Sequence, residues 1–503
     1  MVMMKYNLFI CFLLLCFSNC QTPVDRDNAV KEDFEEFRPT HHFSPKSGWM
    51  NDPNGMVYLD GEYHLFFQHN PDTTVWGPMH WGHAISKDMI TWEEQPIALF
   101  PDSLGTIFSG SIIIDKDNSA GFGANAMVAI FTHHNHEIES KKTGLHQYQS
   151  LAYSIDKGNT WTKYEGNPVL PNPGIWDYRD PKVMWHEGSK QWIMTLATKQ
   201  TITFYGSKNL KEWTRLSEFG EGIGAHGGVW ECPDLIKFST PDGDKWVLLV
   251  SINPGGPNTG SATQYFVGDF DGTKFTTTQR DIKWMDHGPD NYAGVTFSNI
   301  PNRNILIGWM SNWAYAGVVP ASTWRSGMTI ARELSLLKNN DDWVLSSTPV
   351  KELDKYLTAA SAIDKETSQG DTIVFDIYDL EGTFSTQLSK IETADFQLTL
   401  SNEAGDELLI GFDQKNNNYY IDRSKAGNTS FSDSFIGRSI TPRISVDREQ
   451  ELYLLFDRNS VELFADGGIS NLSALFFVNK PFNKLKIVGD NIKPESVIIK
   501  NIK

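Results

Sequence analysis

Three short motifs place a carboxylate directly before Pro or Cys-Pro: Asp52 in GWMNDPNG, Asp180 in YRDPKV and Glu231 in WECPDL. The Asp-Pro-Asn-Gly stretch alone is ordinary turn chemistry, because Asp initiates a turn, Pro sets φ and Gly closes it. Trp49 and Met50 precede this turn, however, and the strand-like run MVYLDGEYHLFFQ follows it. Asp52 is therefore either a turn residue or an acid held in an aromatic, strand-rich setting where it can do chemistry.

A weak repeat along the chain predicts how these acids are positioned. A strand, a Ser, a polar pair and an aromatic residue six or seven positions on recur as AISKDMITW, AYSIDKGNTW and FYGSKNLKEW, with FVGDFDGTKF as a fainter copy. The aromatic residues Trp92, Trp161, Trp213 and Phe275 are 69, 52 and 62 residues apart. This period suits one four-stranded propeller blade with its loops.

Aligning these copies makes the preceding segments equivalent as well and indicates five units. The equivalent segments are NDPNGMVY, FSGSIIID, RDPKVMWH, ECPDLIKF and NYAGVTFS. Since the first strand of each blade lines the central channel of a propeller, we expect these segments to meet around one axis. Acids that converge on a substrate must recur in this way, whereas turn residues need not. The repeat favours chemistry for Asp52, Asp180 and Glu231, against the alternative that three blades share a loop geometry.

The body of the chain has the patterning of an all-β protein. Short alternating runs such as QWIMTLAT and KWVLLVSI are separated by Gly, Asn, Asp and Pro, and helix signals are scarce. The repeat ends near residue 350, where KELDKYLTAASAI indicates a short helical linker before further alternating strands. We predict a five-bladed β-propeller over residues 37–349, a linker over 350–365, and a β-sandwich over 366–503 with a stabilising or glycan-contacting role.

The N-terminus carries an export signal. One Lys and an apolar run from Leu8 to Phe17 form a segment too short for an ordinary membrane span but typical of a signal peptide. Cys20 closes this segment, which resembles a bacterial lipoprotein signal with Cys20 as the lipidated residue. We expect a signal peptide over residues 1–20, a flexible tether over 21–36, and a lipid anchor in the membrane, facing the periplasm or the cell surface. Simple cleavage and release is the alternative.

Composition argues against several classes of partner and cofactor. The chain carries 44 basic and 62 acidic side chains without a long basic run, which argues against nucleic acid. Cys232 is the one Cys beyond the predicted signal peptide, so we expect no disulfide within the mature chain. The cluster THHNHE at residues 132–137 invites a metal site, but consecutive His on a strand diverge and no further ligand motif accompanies them. We expect no metal and no cofactor, and the sequence indicates no oligomeric state.

The motifs WMNDPNG, FSGS, YRDPKV and WECPDL stand intact and in this order. In this combination the chain resembles glycoside hydrolase family 32, the β-fructosidases that include invertases, inulinases and levanases, over nearly its whole mature length. The resemblance implies a five-bladed β-propeller followed by a β-sandwich, in agreement with the repeat. It also implies a chemistry that needs no metal.

The resemblance implies a role for each acid. Asp52 corresponds to the nucleophile, Glu231 to the general acid and then base, and Asp180 to a carboxylate that holds substrate hydroxyls and stabilises the transition state. A retaining glycosidase needs its two carboxyls roughly 5 to 5.5 Å apart. For Arg179 a structural role is the alternative, because neighbours on a regular strand face opposite sides. The implied substrate contacts are Asn51, Gln68, Trp76, Ser109, Arg179, Trp49, Tyr292 and Trp313.

The resulting hypothesis is hydrolysis of terminal β-fructofuranosyl units of levan or inulin with retention, and sucrose is a further candidate substrate. The stretch GWMSNWAYAGVVPASTWRSGMTIAREL resembles exo-acting levanases and inulinases and favours exo action. Three alternatives stay open: an endo-levanase with an open groove, a fructosyltransferase in which a sugar displaces water, and a non-catalytic glycan-binding lipoprotein. The motifs argue against another five-bladed glycosidase that acts on arabinan or xylan.

Overall fold

A computed structural model describes residues 34–359, 365–490 and 492–503. The predicted signal peptide, its Cys20 and most of the predicted tether lie outside the described residues, which begin with a short 3-10 helix at Phe34–Phe37. Within the described ranges, no helix has the length and apolar character that a membrane span requires.

Five antiparallel sheets follow one another along the N-terminal part of the chain. Each sheet is a meander of four main strands, and the first strands of successive sheets contact one another in a ring that returns from the fifth sheet to the first. The sheets are therefore the blades of a propeller, numbered 1 to 5 in chain order. Ser298 joins blade 5 to blade 1, because its N–H donates to the Met56 carbonyl and its own carbonyl accepts the Tyr58 N–H.

The main strands of each blade run from the centre outwards in chain order. They are, blade by blade, Gly48–Leu59, Glu62–Asn70, His80–Ser86 and Glu93–Leu99; Thr106–Asp115, Ala126–His134, Gln147–Ser154 and Thr162–Lys163; Tyr178–His186, Gln191–Thr198, Thr201–Ser207 and Thr214–Phe219; Val229–Thr240, Gly243–Asn253, Ala262–Phe270 and Phe275–Thr276; Tyr292–Thr296, Asn304–Met310, Arg332–Asn339 and Asp342–Pro349. Short strands at Trp324–Arg325, Lys283–Trp284 and Gly327–Met328 add to blades 1, 4 and 5. An α-helix at His136–Ser140 interrupts blade 2 between its second and third strands.

The repeated Ser and Trp tie the turn between the third and fourth strands of a blade. In blade 1 the Ser86 hydroxyl accepts the Met89 N–H at 2.7 Å, and the Trp92 indole N–H donates to the Met89 carbonyl at 3.2 Å. The same bond from an indole to the carbonyl three residues back recurs at Trp161 in blade 2 and at Trp213 in blade 3. The sequence repeat thus marks a local turn that side chains stabilise in each of these blades.

Two further sheets pack against each other over a shared apolar core and form the C-terminal β-sandwich. Their strands, in sheet order, are Leu357–Ala359, Val497–Ile502, Phe384–Glu392, Glu449–Asp457, Ser460–Ala465 and Ser470–Leu475; and Lys365–Gln369, Thr372–Asp376, Lys484–Gly489, Phe396–Ser401, Glu407–Asp413, Asn418–Lys425 and Arg438–Pro442. Short 3-10 helices lie at Lys351–Lys355, Tyr378–Leu380 and Pro494–Ser496. The predicted fold class, an all-β chain with a five-bladed propeller followed by a β-sandwich, is confirmed.

Candidate active site

Each innermost strand of the propeller carries a β-bulge at its sequence motif. The five bulges, where pairing to the second strand shifts register, lie between Met50 and Pro53, Ile107 and Gly110, Arg179 and Lys182, Glu231 and Asp234, and Tyr292 and Val295. A bulge places an extra residue in one strand and so breaks the alternation of side chains between two faces. Asp180, Cys232 and Ala293 take left-handed backbone at these bulges, with φ of 63°, 46° and 52°. The bulges therefore re-aim side chains at the same level of every blade.

The bulge in blade 3 decides between the two placements of Arg179. On a regular strand Arg179 and Asp180 would face opposite sides, but here both line one cavity. Arg179 donates to Glu231 Oε1 at 2.9 Å and to Asp177 Oδ1 at 2.6 Å, and its Nε lies 3.9 Å from Asp180 Oδ2. The alternative in which Arg179 leaves the channel is therefore wrong, because the bulge turns both side chains inward.

Asp52 is held by two hydrogen-bond donors. The Ser109 hydroxyl donates to Asp52 Oδ2 at 2.8 Å, and the Asn51 amide donates to Oδ1 at 2.9 Å. The Asn51 oxygen accepts the Trp49 indole N–H at 2.7 Å, which fixes the orientation of the amide. Burial and then the charge of Glu231 raise the pKa of Asp52, against these two hydrogen bonds, which favour the carboxylate.

Asp180 and Asp52 meet at Cys232, the residue that follows Glu231. The Cys232 N–H donates to Asp180 Oδ2 at 3.1 Å, and its Sγ lies 3.7 Å from Asp52 Oδ2 and 3.8 Å from Asp180 Oδ2. Burial raises the pKa of Asp180 to about 7; Arg179 opposes this shift, and the charges of Glu231 and Asp52 add to it. Carboxylates this close oppose one another's ionisation, which is the kind of environment in which catalytic acids and bases are found.

The three acids line a cavity of about 440 Å³, within the range of small-molecule sites. Six of the implied substrate contacts line it as well: Asn51, Gln68, Trp76, Ser109, Arg179 and Trp313. Trp49 and Tyr292 lie behind this lining, each about 1% exposed. Trp49 stacks on Trp313 with ring centroids 6.0 Å apart, and the Tyr292 hydroxyl donates to Glu231 Oε2. The structure thus places these two residues as supports of the lining.

The cavity lining also includes residues that were not among the implied substrate contacts or the three acids. They are Phe108, His134, His136, Glu139, His146, Gln147, Trp176, Asp177 and Asn253. The consecutive pair His133 and His134 diverges as expected, because His133 contacts Ser150 whereas His134 lines the cavity. His136 lies beyond the strand, at the start of the helix, and its ring returns to that of His134. Nitrogen atoms of both rings and a Glu139 oxygen lie within 4.8 Å of one another.

A second cavity, of about 570 Å³, lies at the β-sandwich and contains none of the three acids. Apolar side chains such as Phe384 and Phe476 form its floor, and its charged groups, among them Glu381 and Arg458, belong to exposed residues. Volume alone therefore does not identify the reactive site, since the smaller cavity holds the convergent polar groups and the shifted pKa values.

Comparison with known proteins agrees with the fold and the motifs. Profiles of the N-terminal and C-terminal domains of glycosyl hydrolases family 32 match residues 42–349 and 350–502. The levanase of Bacillus subtilis strain 168 is 44% identical over 492 residues, which cover 93% of this chain and 71% of that protein. An extracellular exo-inulinase of Aspergillus niger is 36% identical over 509 residues, which cover 92% of this chain and 94% of that protein.

A solved structure also matches the fold of this chain. The fructofuranosidase from Schwanniomyces occidentalis, in complex with fructosylnystose, matches with a TM-score of 0.83 and 34% sequence identity, over 94% of this chain and 99% of that one. Both the propeller and the sandwich lie within the matched profiles. The chain therefore belongs to glycosyl hydrolases family 32.

Proposed function

We propose that this protein is a retaining exo-β-fructosidase that hydrolyses terminal fructosyl units of fructans such as levan and inulin, with sucrose as a further substrate. The observation that carries the proposal is the convergence of Asp52, Asp180 and Glu231 in one cavity, each delivered by the bulge of a different blade. The names of two relatives, a levanase and an exo-inulinase, support this substrate class.

In the first step, Asp52 attacks the anomeric carbon of the terminal fructosyl unit while Glu231 protonates the leaving oxygen. The hydrogen bonds from Asn51 and Ser109 hold the Asp52 carboxylate in place and favour its charged form. Asp180 accepts hydrogen bonds from sugar hydroxyls, and its negative charge stabilises the oxocarbenium-like transition state. The step yields a fructosyl ester of Asp52 and releases the rest of the substrate.

In the second step, Glu231 removes a proton from a water molecule that attacks the anomeric carbon, which frees fructose and regenerates the Asp52 carboxylate. Arg179 donates to one oxygen of Glu231 and Tyr292 to the other, so the carboxyl keeps its direction through both steps. Arg179 is itself anchored by Asp177. Its position therefore does not depend on the protonation state of Glu231.

Exo action is supported by the name of one relative, the extracellular exo-inulinase of Aspergillus niger, whose match covers 92% of this chain. The likeness of residues 308–334 to exo-acting levanases and inulinases points the same way. An endo-levanase, whose groove would be open at the side, is the main alternative.

A time course of products from levan, inulin and sucrose, resolved by chromatography, tests the proposal. Fructose alone from the earliest point is expected, and the relative rates would identify the preferred linkage. An early ladder of oligosaccharides would replace exo with endo action, and products longer than the substrate would indicate a fructosyltransferase. No product from any substrate would favour a glycan-binding protein.

We also propose that the protein is exported and carries a lipid on Cys20, a residue outside the described ranges. The apolar run before Cys20 supports export, as does the extracellular relative from Aspergillus niger. In cells fed radioactive palmitate, the wild type should be labelled and membrane-bound, whereas Cys20→Ala should be unlabelled. Unlabelled wild-type protein in the soluble fraction would instead support simple cleavage and release.

A further inference from the structure

A continuous row of rings forms part of the cavity lining. Trp76 contacts Phe108 edge to face at 5.9 Å, and Phe108 stacks on His134 at 4.3 Å. His134 contacts His146 at 5.2 Å, and His146 contacts Trp176 at 4.5 Å. We call these five residues the aromatic wall. The indoles at its two ends are exposed, Trp76 by 43% and Trp176 by 39%, although both line the cavity.

The helix that starts at His136 adds polar groups to this wall. His134 Nε2 lies 3.1 Å from Glu139 Oε2 and 3.1 Å from His136 Nδ1. The Gln147 oxygen accepts the Tyr178 N–H at 2.8 Å, so the Gln147 amide nitrogen is the atom that donates to His134 Nδ1 at 3.2 Å. His134 must then carry its proton on Nε2.

This tautomer decides what the cluster can bind. A protonated Nε2 cannot ligate a metal ion, and it donates instead to Glu139. His136 and Glu139 are 50% and 36% exposed at their side chains and line the cavity, so they can hydrogen-bond a ligand there. Hydroxyl groups satisfy both residues, because a hydroxyl can donate to a carboxylate and accept from an imidazole.

The aromatic wall ends next to the residue that anchors Arg179. Trp176 directly precedes Asp177, which accepts a hydrogen bond from Arg179, and Arg179 donates to Glu231. Glu231 protonates the oxygen that leaves with the remainder of the substrate. Trp176 and Glu231 line the same cavity, so a leaving sugar bound there can reach the Trp176 ring.

We propose that Trp176, with His136 and Glu139, forms the subsite for the sugar unit next to the terminal fructose, and that its ligand is a neutral fructosyl or glucosyl unit. An exposed indole offers a flat apolar face to a sugar ring, and the paired imidazole and carboxylate bind its hydroxyls. This subsite rests on the proposed function, because it places the leaving group of that reaction.

The test compares substrates with and without a sugar leaving group. Trp176→Ala should lower kcat/KM for levanbiose and inulobiose about five- to tenfold, and should leave hydrolysis of β-fructofuranosyl fluoride unchanged, because fluoride makes no contact with this subsite. Glu139→Gln should act in the same direction by a smaller factor. Trp185→Ala is the matched control, since Trp185 is 38% exposed on blade 3 and lies outside the cavity.

A second readout uses the fructosyl-enzyme. At high disaccharide concentration a sugar acceptor competes with water from the same subsite, so Trp176→Ala should lower the ratio of transfer to hydrolysis by a similar factor. Equal losses on the disaccharides and on the fluoride would overturn the subsite, as would unchanged disaccharide kinetics. A wild-type enzyme inactive on every fructoside would instead overturn the proposed function.

Discussion

Two clusters of charged side chains in this protein differ in the charges that surround their carboxylates. In the cavity, Asp52, Asp180 and Glu231 crowd together beside Arg179. Burial and the charge of Glu231 raise the pKa values of both Asp52 and Asp180, although Arg179 opposes the shift at Asp180. In the cavity, burial and the like charge of a neighbouring carboxylate therefore disfavour the ionised forms of Asp52 and Asp180.

The second cluster, which we call the seam, joins the propeller to the sandwich and consists of His42, Asp286, Arg332, Asp457 and Glu462. The His42 ring contacts Asp457 Oδ2 at 2.8 Å and Glu462 Oε1 at 2.7 Å. Arg332 donates to Glu462 Oε2 at 2.9 Å and to Asp286 Oδ2 at 2.8 Å. Each acid of the seam therefore has a cationic partner.

The pKa values of the seam acids move in the opposite direction. Burial acts against their charged forms, but His42 and Arg332 outweigh it and hold the pKa values of Asp457, Glu462 and Asp286 below their usual range. Burial is thus common to both clusters, and the charge of the neighbouring groups decides the direction of the pKa shift: cations at the seam lower it, whereas the nearby carboxylates in the cavity raise it. The seam, where each acid has a cationic partner, anchors the two domains. The crowded acids of the cavity are suited to catalysis.

The largest expected effect is a loss of activity, without a loss of stability, when an acid of the cavity is substituted. Asp52→Asn and Glu231→Gln should each lower kcat by about a thousandfold or more, because the nucleophile or the proton donor is removed. The melting temperature of Asp52→Asn at pH 7 should equal or exceed that of the wild type, since the raised pKa of Asp52 means that its charge opposes folding. Wild-type activity in Glu231→Gln would contradict the assigned roles.

At the seam, a substitution should instead lower stability and leave activity unchanged. Glu462→Gln leaves Arg332 and His42 buried without their shared carboxylate, and a loss of about 3–5 kcal/mol in unfolding free energy is expected. Activity of the folded fraction should be unchanged. Glu449→Gln, at an exposed position of the same sheet, is the control and should melt like the wild type. Equal melting temperatures for both variants would show that the seam does not anchor the domains.

Above pH 6.5, part of the pH dependence of stability should arise from His42 at the seam. Burial opposes the charge on His42, but the hydrogen bonds and charges of Asp457 and Glu462 outweigh it and raise the pKa of His42 to about 9. Its contribution is then fully present below the ordinary value of 6.5 and is lost as the pH rises through about 9. The wild type should lose melting temperature over this window. The melting temperature of a His42→Gln variant should depend less on pH over this window. An identical dependence in the two proteins would contradict the role given to His42.

The smallest expected effect is a shift of one pKa within the cavity. The charge of Glu231 raises the pKa of Asp180, so Glu231→Gln should lower it. Carbon-13 NMR titration of labelled Asp carboxyls measures this directly. The Asp457 resonance at the seam serves as an internal control and should not move. An unchanged Asp180 titration would contradict the contribution of the Glu231 charge to its pKa.

Much of the fold was predictable because its signals are local. The Ser and Trp of each repeat stabilise a turn of a few residues, as Ser86 and Trp92 do around Met89, so the sequence alone reveals the blade period. The aromatic wall was not predictable in this way. His134 ends a strand of blade 2, whereas Trp176 lies in the connection from blade 2 to blade 3. The two rings meet through His146, and no short motif encodes that contact.

The sequence by itself determined the three acids, their order and the all-β repeat, because each is written in a short stretch of chain. Tertiary structure alone decided that Arg179 shares the cavity with Asp180, since a bulge exists only where one strand pairs with another. It also decided the seam, where His42 and Asp457 lie 415 positions apart. Contacts of that kind depend on the closure of the propeller and the docking of the sandwich, and so cannot be read from neighbouring residues.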